Sequence, residues 1–566
     1  MKMADQDDFH IFWSNVAQFL NQQELCKLAQ TSSKMNRLVA QPRLYGSIHV
    51  TKNPVQRVPD CYLDCGTTYI SGYRATVKSD DQNDIYLYDR LERFIDSLEQ
   101  NSALIKNFII DNHIFSSKDS GVELLDILIP KIVGIETIES VVIKSHPLFL
   151  RYSKNILNLE NLRYLRLHNN ILANNELRMP NLSSIKLTID ETYPGMWCND
   201  NLTPLLTDQI QEMHIELDDF QISSWDFFES LRNTNIIFKN VNKLKFNMVH
   251  INNEHIADGD SYGNVIAHSL VTHFHLSTIR KLEIEFCCHF EQCPCIDEFL
   301  LAISPELESL GSVALKQTLY HNKGVHQKHE DFDGSAGNFL QKLPHYSTQL
   351  KELCIHHDPP LNGIGIDTVE GNYYRRRRFY ENLLPQLKSL EKLIVPQMLQ
   401  SLSLYEIIAC DILWNGCVCE HCKRNLPQFD DYLMNHQYFS KSSGKYEDVI
   451  PPVLFGYTGD TLYKRYSDII EWEFDSLKIC PVSTNWNFHG YENVHHFEEN
   501  KCSFNENKFK PLVTGVTHFF NDYMDNLVQY LPNLKVAVLS GIYYTISPEK
   551  LYPFKNISRR YKAIYD

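Results

Sequence analysis

Apolar residues recur along most of the chain in a spaced triplet of the form L-x-x-L-x-L. The triplets are Ile105/Phe108/Ile110, Ile138/Val141/Ile143, Leu162/Leu165/Leu167, Leu182/Ile185/Leu187, Ile210/Met213/Ile215, Val241/Leu244/Phe246, Ile279/Leu282/Ile284, Leu350/Leu353/Ile355 and Leu390/Leu393/Val395. Side chains alternate between the two faces of a strand, so the last two residues of each triplet share one face. Segments with helical spacing lie between many triplets. We therefore predict a strand and a helix per repeat, with a continuous core formed by stacking.

One copy, LENLRYLRLHNNIL, places Asn170 where a leucine-rich repeat has asparagine, and the series resembles such repeats. Leu307/Leu310 and Leu534/Leu539 are interpreted as degraded copies. An α/β domain with a chance run of strands is the alternative, and the number of successive copies counts against it. The predicted fold class is α/β, with an irregular leucine-rich-repeat-like solenoid over residues 86–566.

The first 48 residues have a different pattern, which predicts three short helices. Their apolar positions are Phe9, Phe12, Val16 and Leu20 in the first helix, Leu25 and Leu28 in the second, and Met35, Leu38 and Val39 in the third. Ser32 and its neighbours can cap the third helix, and Pro42 is expected to end it. So small a unit buries too little apolar surface to be stable alone, so it must dock on something else.

The N-terminal pattern resembles an F-box, and the repeats that follow resemble those of fungal F-box proteins. The positions that carry the resemblance are Asp8, Phe9, Phe12, Val16, Leu20, Leu25, Met35, Leu44 and Tyr45. Asp8-Phe9 stands where the family has Leu-Pro, and Tyr45 stands where it has tryptophan. The resemblance implies a surface for a Skp adaptor made by Phe9, Phe12, Val16, Leu20, Leu25, Leu44 and Tyr45. We expect Leu20, Leu25, Leu44 and Tyr45 to be exposed until that partner covers them.

The resemblance implies an SCF-type function. The chain would be the substrate-recognition subunit of a cullin-RING ubiquitin ligase, with cullin and RING subunits joined through the adaptor and a protein substrate held by the repeats. It would perform no covalent step. One alternative is a Skp-bound F-box protein outside a cullin ligase, regulating for example a Rab-type GTPase in intracellular trafficking. A second alternative is a repeat scaffold whose first helices only cap the solenoid.

Composition and charge narrow the function classes. The 566 residues are 43% hydrophobic and 22% charged, which is typical of an ordered chain. A net charge of −16 argues against nucleic-acid binding by bulk electrostatics. No apolar run has the length of a membrane span, no signal-peptide pattern opens the chain, and the 15 cysteines fit free thiols. We expect cytoplasmic and/or nuclear localisation. Residues 49–85 are predicted to be a linker with short strands.

Basic residues suggest a second interaction surface. The middle residue of each L-x-L points away from the core, which gives a row of Arg166, Lys186, His214 and Lys245, followed by Glu283. The run YYRRRRFY adds Arg375 and Arg376, which could hold an acidic or phosphorylated segment. We predict an acidic partner for this concave face. The alternative for the row is ordinary variation on exposed strands, and the alternative for the arginine run is a solvated helix face.

Two cysteine-rich segments raise the question of metal. WNGCVCEHCKRN offers Cys417, Cys419 and Cys422, with His421 or His436 as a fourth ligand. CCHFEQCPC offers Cys287, Cys288, His289, Cys293 and Cys295, and because it follows a repeat strand we interpret Cys287 as core. Neither has the paired C-x-x-C layout of a zinc finger. We expect no cofactor, leave zinc open, and favour the first segment for it.

Signatures of enzymes do not occur in the sequence. It contains no phosphate-binding P-loop, no G-x-S-x-G, no H-E-x-x-H and no kinase motif set. The glycines of GIGIDTVEG lack the strand and helix that a dinucleotide-binding loop requires. The sequence therefore predicts a non-catalytic protein.

Overall fold

A computed structural model of the chain describes residues within 12–395, 437–440, 445–448 and 521–563. The gaps inside these ranges are 14, 18–19, 21, 52–66, 73–79, 112–113, 116–121, 158, 169–179, 190–207, 218–222, 233–235, 252–260, 289, 291–292, 318–331, 358–381, 540–541, 548–551 and 555–556. The described residues form two compact units, the first holding those up to Leu187 and those within 199–210, the second holding the rest. Within the described part, no helix has the length and apolarity needed to cross a membrane.

The first unit combines the N-terminal helices with a parallel sheet. Its helices are α1 (Gln22–Thr31), α2 (Ser33–Met35), α3 (Gln41–Gly46), α4 (Asp80–Asn101), α5 (Val122–Val133) and α6 (His146–Leu157), with a π-helical segment at Asn36–Ala40 and a 3₁₀ turn at Ser102–Leu104. Its strands are β1 (Ser47–Thr51), β2 (Thr67–Ser71), β3 (Asn107–Ile110), β4 (Ser140–Ile143), β5 (Tyr164–His168) and the start of β6 (Ser184–Ile189). The order β2-β1-β3-β4-β5 is parallel throughout.

The second unit repeats the same alternation over a longer stretch. Its strands are β7 (Glu212–Leu217), β8 (Lys243–His250), β9 (Lys281–Cys288), β10 (Ser312–Gln317), β11 (Glu352–His357), β12 (Lys392–Val395), β13 (Gln437–Ser440), β14 (Lys445–Asp448), β15 (Val536–Leu539), β16 (Ile542–Ile546), β17 (Tyr552–Phe554), β18 (Ile557–Arg559) and β19 (Tyr561–Ala563). Its helices are α7 (Ser224–Arg232), α8 (Tyr262–His273), α9 (Cys295–Ile303), α10 (Phe332–Lys342), α11 (Tyr346–Gln349) and α12 (Asn521–Tyr530), with 3₁₀ turns at Leu276–Thr278, Ser304–Glu306 and Leu384–Gln386.

Parallel pairing in sequence order builds the sheet of the second unit from β7 through β12 to β15. Antiparallel β16 and β19 continue it beyond β15. Two further antiparallel pairs, β13 with β14 and β17 with β18, lie outside this sheet. A parallel sheet whose strands alternate with helices is the arrangement that the spaced triplets predicted, and the α/β repeat fold class is confirmed.

The triplet residues form the core of both units. Phe108 and Ile110 in the first unit, and Leu282 and Ile284 in the second, are at most 1% exposed. The interpretation of two copies as degraded is wrong. Leu310, Val313 and Leu315 are all buried and make a full triplet, and Leu534 with buried Ala537 starts another. Alanine at the middle position of the second copy weakens its apolar signal, because Ala537 is small although it is fully buried.

Backbone hydrogen bonds join each repeat to the one before it at a single carbonyl. The carbonyl oxygen of Lys106 accepts from the backbone N–H groups of Glu139 and Ser140, at 2.6 and 3.0 Å. The same forked arrangement recurs at the carbonyls of Glu139, Arg163, Gln211, Asn242, Arg280, Gly311, Lys351 and Glu391. Each strand start is therefore satisfied by its neighbour, as buried backbone groups require.

Candidate functional site

The N-terminal helices pack around a small apolar cluster of their own. Ala17, Leu25, Met35 and Val39 are buried in it. Trp13, Leu20, Leu28, Leu38 and Leu44 pack around them and are partly buried. Ser32 caps α2, since its hydroxyl oxygen accepts from the Met35 N–H at 3.2 Å, as the sequence predicted. The residues expected to face an adaptor thus supply part of the internal core as well.

The predicted end of the third helix at Pro42 is wrong. The π-helical segment Asn36–Ala40 passes directly into α3, which holds Pro42 in its first turn and continues to Gly46. Proline is tolerated there because the first N–H groups of a helix have no acceptor within it. Leu44 and Tyr45 therefore lie on a helix.

The seven predicted adaptor-binding residues differ in exposure. Phe12 is 60% exposed, and its ring meets Trp13 edge-on at 5.4 Å between centroids. Val16 is half-buried, and Phe9 lies outside the described residues. The expectation that Leu25 is exposed is wrong, because it is 2% exposed and belongs to the internal cluster. Among the six members that the structure describes, Phe12 presents the largest free apolar surface.

Contacts with neighbouring elements fasten the helical segment to the rest of the first unit. The side-chain amide of Gln22 accepts from the Tyr69 N–H at 3.1 Å and donates to the Tyr69 carbonyl at 3.4 Å, so α1 is tied to β2. Tyr45 stacks on Phe94 of α4, with ring centroids 6.3 Å apart. The helical unit, which was predicted to dock on something else, thus docks in part on β2 and α4 of its own chain.

On the sheet of the second unit, three predicted surface residues stand in register. His214, Lys245 and Glu283 occupy paired positions on β7, β8 and β9. The same row continues through Ala314 and Cys354, so it does not stay basic. All five side chains are partly exposed, on the face opposite the triplet core. The row combines two basic residues, one acidic residue and a neutral end.

Glu283 accepts from two lysines on neighbouring strands. Its carboxylate lies 2.8 Å from Lys245 Nζ and 2.6 Å from Lys316 Nζ. Burial would raise the pKa of Glu283, but the hydrogen bonds from both lysines outweigh it and lower that pKa to about 2. Two lysines and one carboxylate leave this group with one unit of net positive charge, spread over β8, β9 and β10.

Arg166 and Lys186 lie in the first unit, on β5 and β6, and are half-buried. Arg375 and Arg376 lie outside the described residues. The binding role of the basic residues stays a prediction.

A charged group that the sequence did not indicate lies in the first unit, where Asp111 meets His49 Nε2 at 2.9 Å and Lys144 Nζ at 2.6 Å. Hydrogen bonds from both overcome burial and hold the pKa of the Asp111 carboxyl well below its usual range.

The structure describes cysteines of only one of the two cysteine-rich segments. Cys417, Cys419 and Cys422 lie outside the described residues, as does His289. Cys287 is core, with 5% of its surface exposed. The structure brings Cys288, Cys293 and Cys295 together with His250, which the sequence reading missed. A usable signal was present, because His250 and Cys288 follow their triplets at the same offset and therefore end neighbouring strands.

Comparison with known proteins identifies one full-length relative. No protein-family model matches the chain. The non-SCF-type F-box protein ROY1 of Saccharomyces cerevisiae is 40% identical over 570 residues, an alignment that covers the whole of both chains. The name of this relative overturns the prediction of an SCF-type substrate-recognition subunit. With 40% identity over its full length, the chain belongs to the F-box family represented by the non-SCF-type protein ROY1.

Proposed function

We propose that this chain is a non-catalytic F-box protein that binds a Skp adaptor through its N-terminal helices and regulates another protein outside a cullin ligase. The observation that carries the proposal is the 40% identity to a non-SCF-type F-box protein along the full length. Because the alignment includes both the helices and the repeats, we propose that the two parts act together in this function. The proposed location is cytoplasm and/or nucleus.

The adaptor surface is proposed to centre on Phe12. An exposed aromatic side chain is a common anchor of protein interfaces, because it buries a large area at little cost in conformational freedom. Leu20 and Leu44 remain partly exposed beside the buried cluster and would extend the contact. Leu25 supports this surface from below and would not touch the adaptor.

The repeats are proposed to hold the regulated protein. The row of His214, Lys245 and Glu283 offers fixed charges and a partly exposed apolar end on one sheet face. Fixed charges select a partner and its orientation more than they raise affinity. A Rab-type GTPase of intracellular trafficking is the partner class that we propose to test first.

Co-purification tests the assembly. We expect the tagged full-length chain, expressed in fungal cells, to retain the Skp adaptor and no cullin above the level of an untagged control. Cullin recovered in proportion to the adaptor would contradict action outside a ligase. Absence of the adaptor would overturn the proposal as a whole.

A pair of exposed apolar residues locates the adaptor surface. Phe12→Asp is expected to abolish adaptor recovery without changing the thermal unfolding midpoint. Ile85→Asp, at a site on α4 that is 61% exposed, is the matched control and should retain the adaptor. Loss of the adaptor in both variants, or in neither, would show that Phe12 is not the anchor.

The partner is tested separately with the purified adaptor complex. Immobilised complex is incubated with individual Rab-type GTPases that are nucleotide-free, GDP-bound or GTP-bound. We expect one of them to bind in a nucleotide-dependent way and to lose affinity when Lys245 is changed to Glu. Equal, weak retention of all GTPases in every state would exclude this partner class while leaving adaptor binding intact.

A further inference from the structure

Four potential metal ligands converge at one edge of the sheet in the second unit. The ring nitrogen Nδ1 of His250 lies 3.6 Å from Cys288 Sγ and 3.5 Å from Cys293 Sγ. Together with Cys295 Sγ, these four ligand atoms all lie within 4.8 Å of one another. We call these residues the Cys₃His cluster.

The repeat fold itself creates this convergence. His250 is the last residue of β8 and Cys288 the last residue of β9, and the two are paired in register. Carboxyl ends of parallel strands meet at the same sheet edge, so both side chains reach the same place. Cys295 begins α9, directly after the loop that carries Cys293. Two strands and the following helix are thus joined at one point.

Neighbouring side chains fix the imidazole of His250. Its ring stacks on Tyr262, with centroids 3.9 Å apart and planes 13° apart, and Phe290 lies at 4.6 Å. The Tyr262 hydroxyl is itself held by the carbonyl of Val249 at 2.5 Å. His250 is 2% exposed, and its Nε2 has no hydrogen-bond partner among the described residues. The polar contacts of the ring are therefore directed at sulfur.

Two nitrogen–sulfur distances in the cluster match those of tetrahedral zinc. Zinc binds sulfur at about 2.3 Å and imidazole nitrogen at about 2.0–2.1 Å, so tetrahedral angles place a nitrogen and a sulfur ligand about 3.6 Å apart. The two nitrogen–sulfur distances here are 3.6 and 3.5 Å. We propose that His250, Cys288, Cys293 and Cys295 bind one Zn²⁺ ion.

The ligand set indicates a structural zinc site. Four protein ligands leave no open position for water or substrate, and three thiolates favour zinc over magnesium or calcium. Zinc binds cysteine as the thiolate, so binding would be coupled to the release of protons from the cluster. The ion would pin the segment between β9 and α9 to the end of β8.

Metal analysis of the purified full-length chain is the first test. Elemental analysis by mass spectrometry is expected to find zinc in stoichiometric amount with the chain. X-ray absorption at the zinc edge should show three sulfur neighbours and one nitrogen neighbour. A chain without bound metal overturns the proposal, as does a disulfide within the cluster, detected by intact mass under non-reducing conditions.

Variants distinguish this cluster from the other cysteine-rich segment. The double variant Cys288→Ser/Cys293→Ser is expected to lose its zinc. The triple variant Cys417→Ser/Cys419→Ser/Cys422→Ser is the matched control and should keep zinc with the same three-sulfur, one-nitrogen spectrum. Zinc that survives the first change and disappears with the second would assign the metal to the other segment and overturn the proposal.

Chelation of the unmodified chain covers the case in which the double variant does not fold. Removal of zinc should lower the thermal unfolding midpoint, and added zinc but not magnesium should restore it. A midpoint that is indifferent to chelator and zinc would contradict a structural site. Adaptor recovery through the N-terminal helices serves as an independent readout, because it is expected to persist without zinc.

Discussion

A Cβ atom on Gly263 would overlap the backbone carbonyl oxygen of Cys295 and lie 2.9 Å from its carbonyl carbon. Helix α8 therefore approaches the start of α9 as closely as a glycine allows. The contact lies beside the Cys₃His cluster, because Cys295 is a member of it and Gly263 follows Tyr262, which stacks on His250. A substitution of Gly263 therefore tests whether the close packing of α8 against α9 stabilises this part of the fold.

Changing Gly263 to alanine should destabilise the second unit. The added methyl group meets backbone atoms, which cannot move aside as a flexible side chain can, so the two helices must separate. We expect the free energy of unfolding to fall by about 1–3 kcal/mol. Gly46→Ala is the control, because nothing lies within 4 Å of the added atom, and it should change stability by less than about 0.5 kcal/mol. Denaturant unfolding measures both variants, and equal effects would argue against the close contact.

The lowered pKa of Glu283 predicts that the stability of the fold depends on pH. Its pKa is lowered from 4.5 to about 2 in the folded chain, so the folded state favours the carboxylate. The resulting stabilisation is complete above the unfolded pKa of about 4.5 and is lost as the pH falls toward 2. We expect Glu283→Gln to be less stable than the original chain by about 1–3 kcal/mol at neutral pH. This difference should shrink as denaturation is measured at successively lower pH.

Glu391 provides the matched control for this measurement. It too lies between two lysines, 3.6 Å from Lys351 Nζ and 2.5 Å from Lys535 Nζ, but on a more exposed part of the surface. Water screens such pairs, so Glu391→Gln should cost less than about 1 kcal/mol at neutral pH. Equal losses for the two variants would show that burial of Glu283 has no part in the effect.

The repeat pattern predicted the fold well, because apolar spacing reports directly on which side chains face the core. It did less well where the core side chain was small, as at Ala537, since the hydrophobic signal falls with side-chain size. It also misplaced the helix end at Pro42, because the pattern alone does not say whether a proline lies in the first turn of a new helix.

The Cys₃His cluster shows a different limit of the sequence. Cys288, Cys293 and Cys295 are close in the chain, but the fourth member, His250, precedes Cys288 by a whole repeat. Only the parallel register of β8 and β9 makes them neighbours.

Exposure of Leu25 was also misjudged, because a helix pattern identifies an apolar face without saying which element covers it.

Substitutions of Leu25 and Phe12 should have different effects, the first on the stability of the helices and the second on adaptor binding. Leu25→Ala removes a side chain from the internal cluster and is expected to lower the free energy of unfolding by about 2–5 kcal/mol. Phe12→Ala removes an exposed ring and should leave stability nearly unchanged while weakening adaptor binding. Thermal unfolding and adaptor titration by calorimetry measure the two effects. A large loss of stability in Phe12→Ala would mean that the ring serves the core of the helices instead.

Phe299 tests whether stacking of repeats supplies the stability of the second unit. Its ring is fully buried in α9 and meets Phe246 of β8 and Phe286 of β9, at 5.9 and 6.1 Å between centroids. Phe299→Ala would leave a cavity shared by two repeats, and the expected cost is about 3–5 kcal/mol. Leu301 lies on the same helix but is 41% exposed, so Leu301→Ala should cost less than about 1 kcal/mol. Hydrogen exchange should show the loss of protection in Phe299→Ala spreading to β8 and β9, because each repeat depends on its neighbours for a core. Protection lost only in α9 would instead mean that the repeats are stable independently.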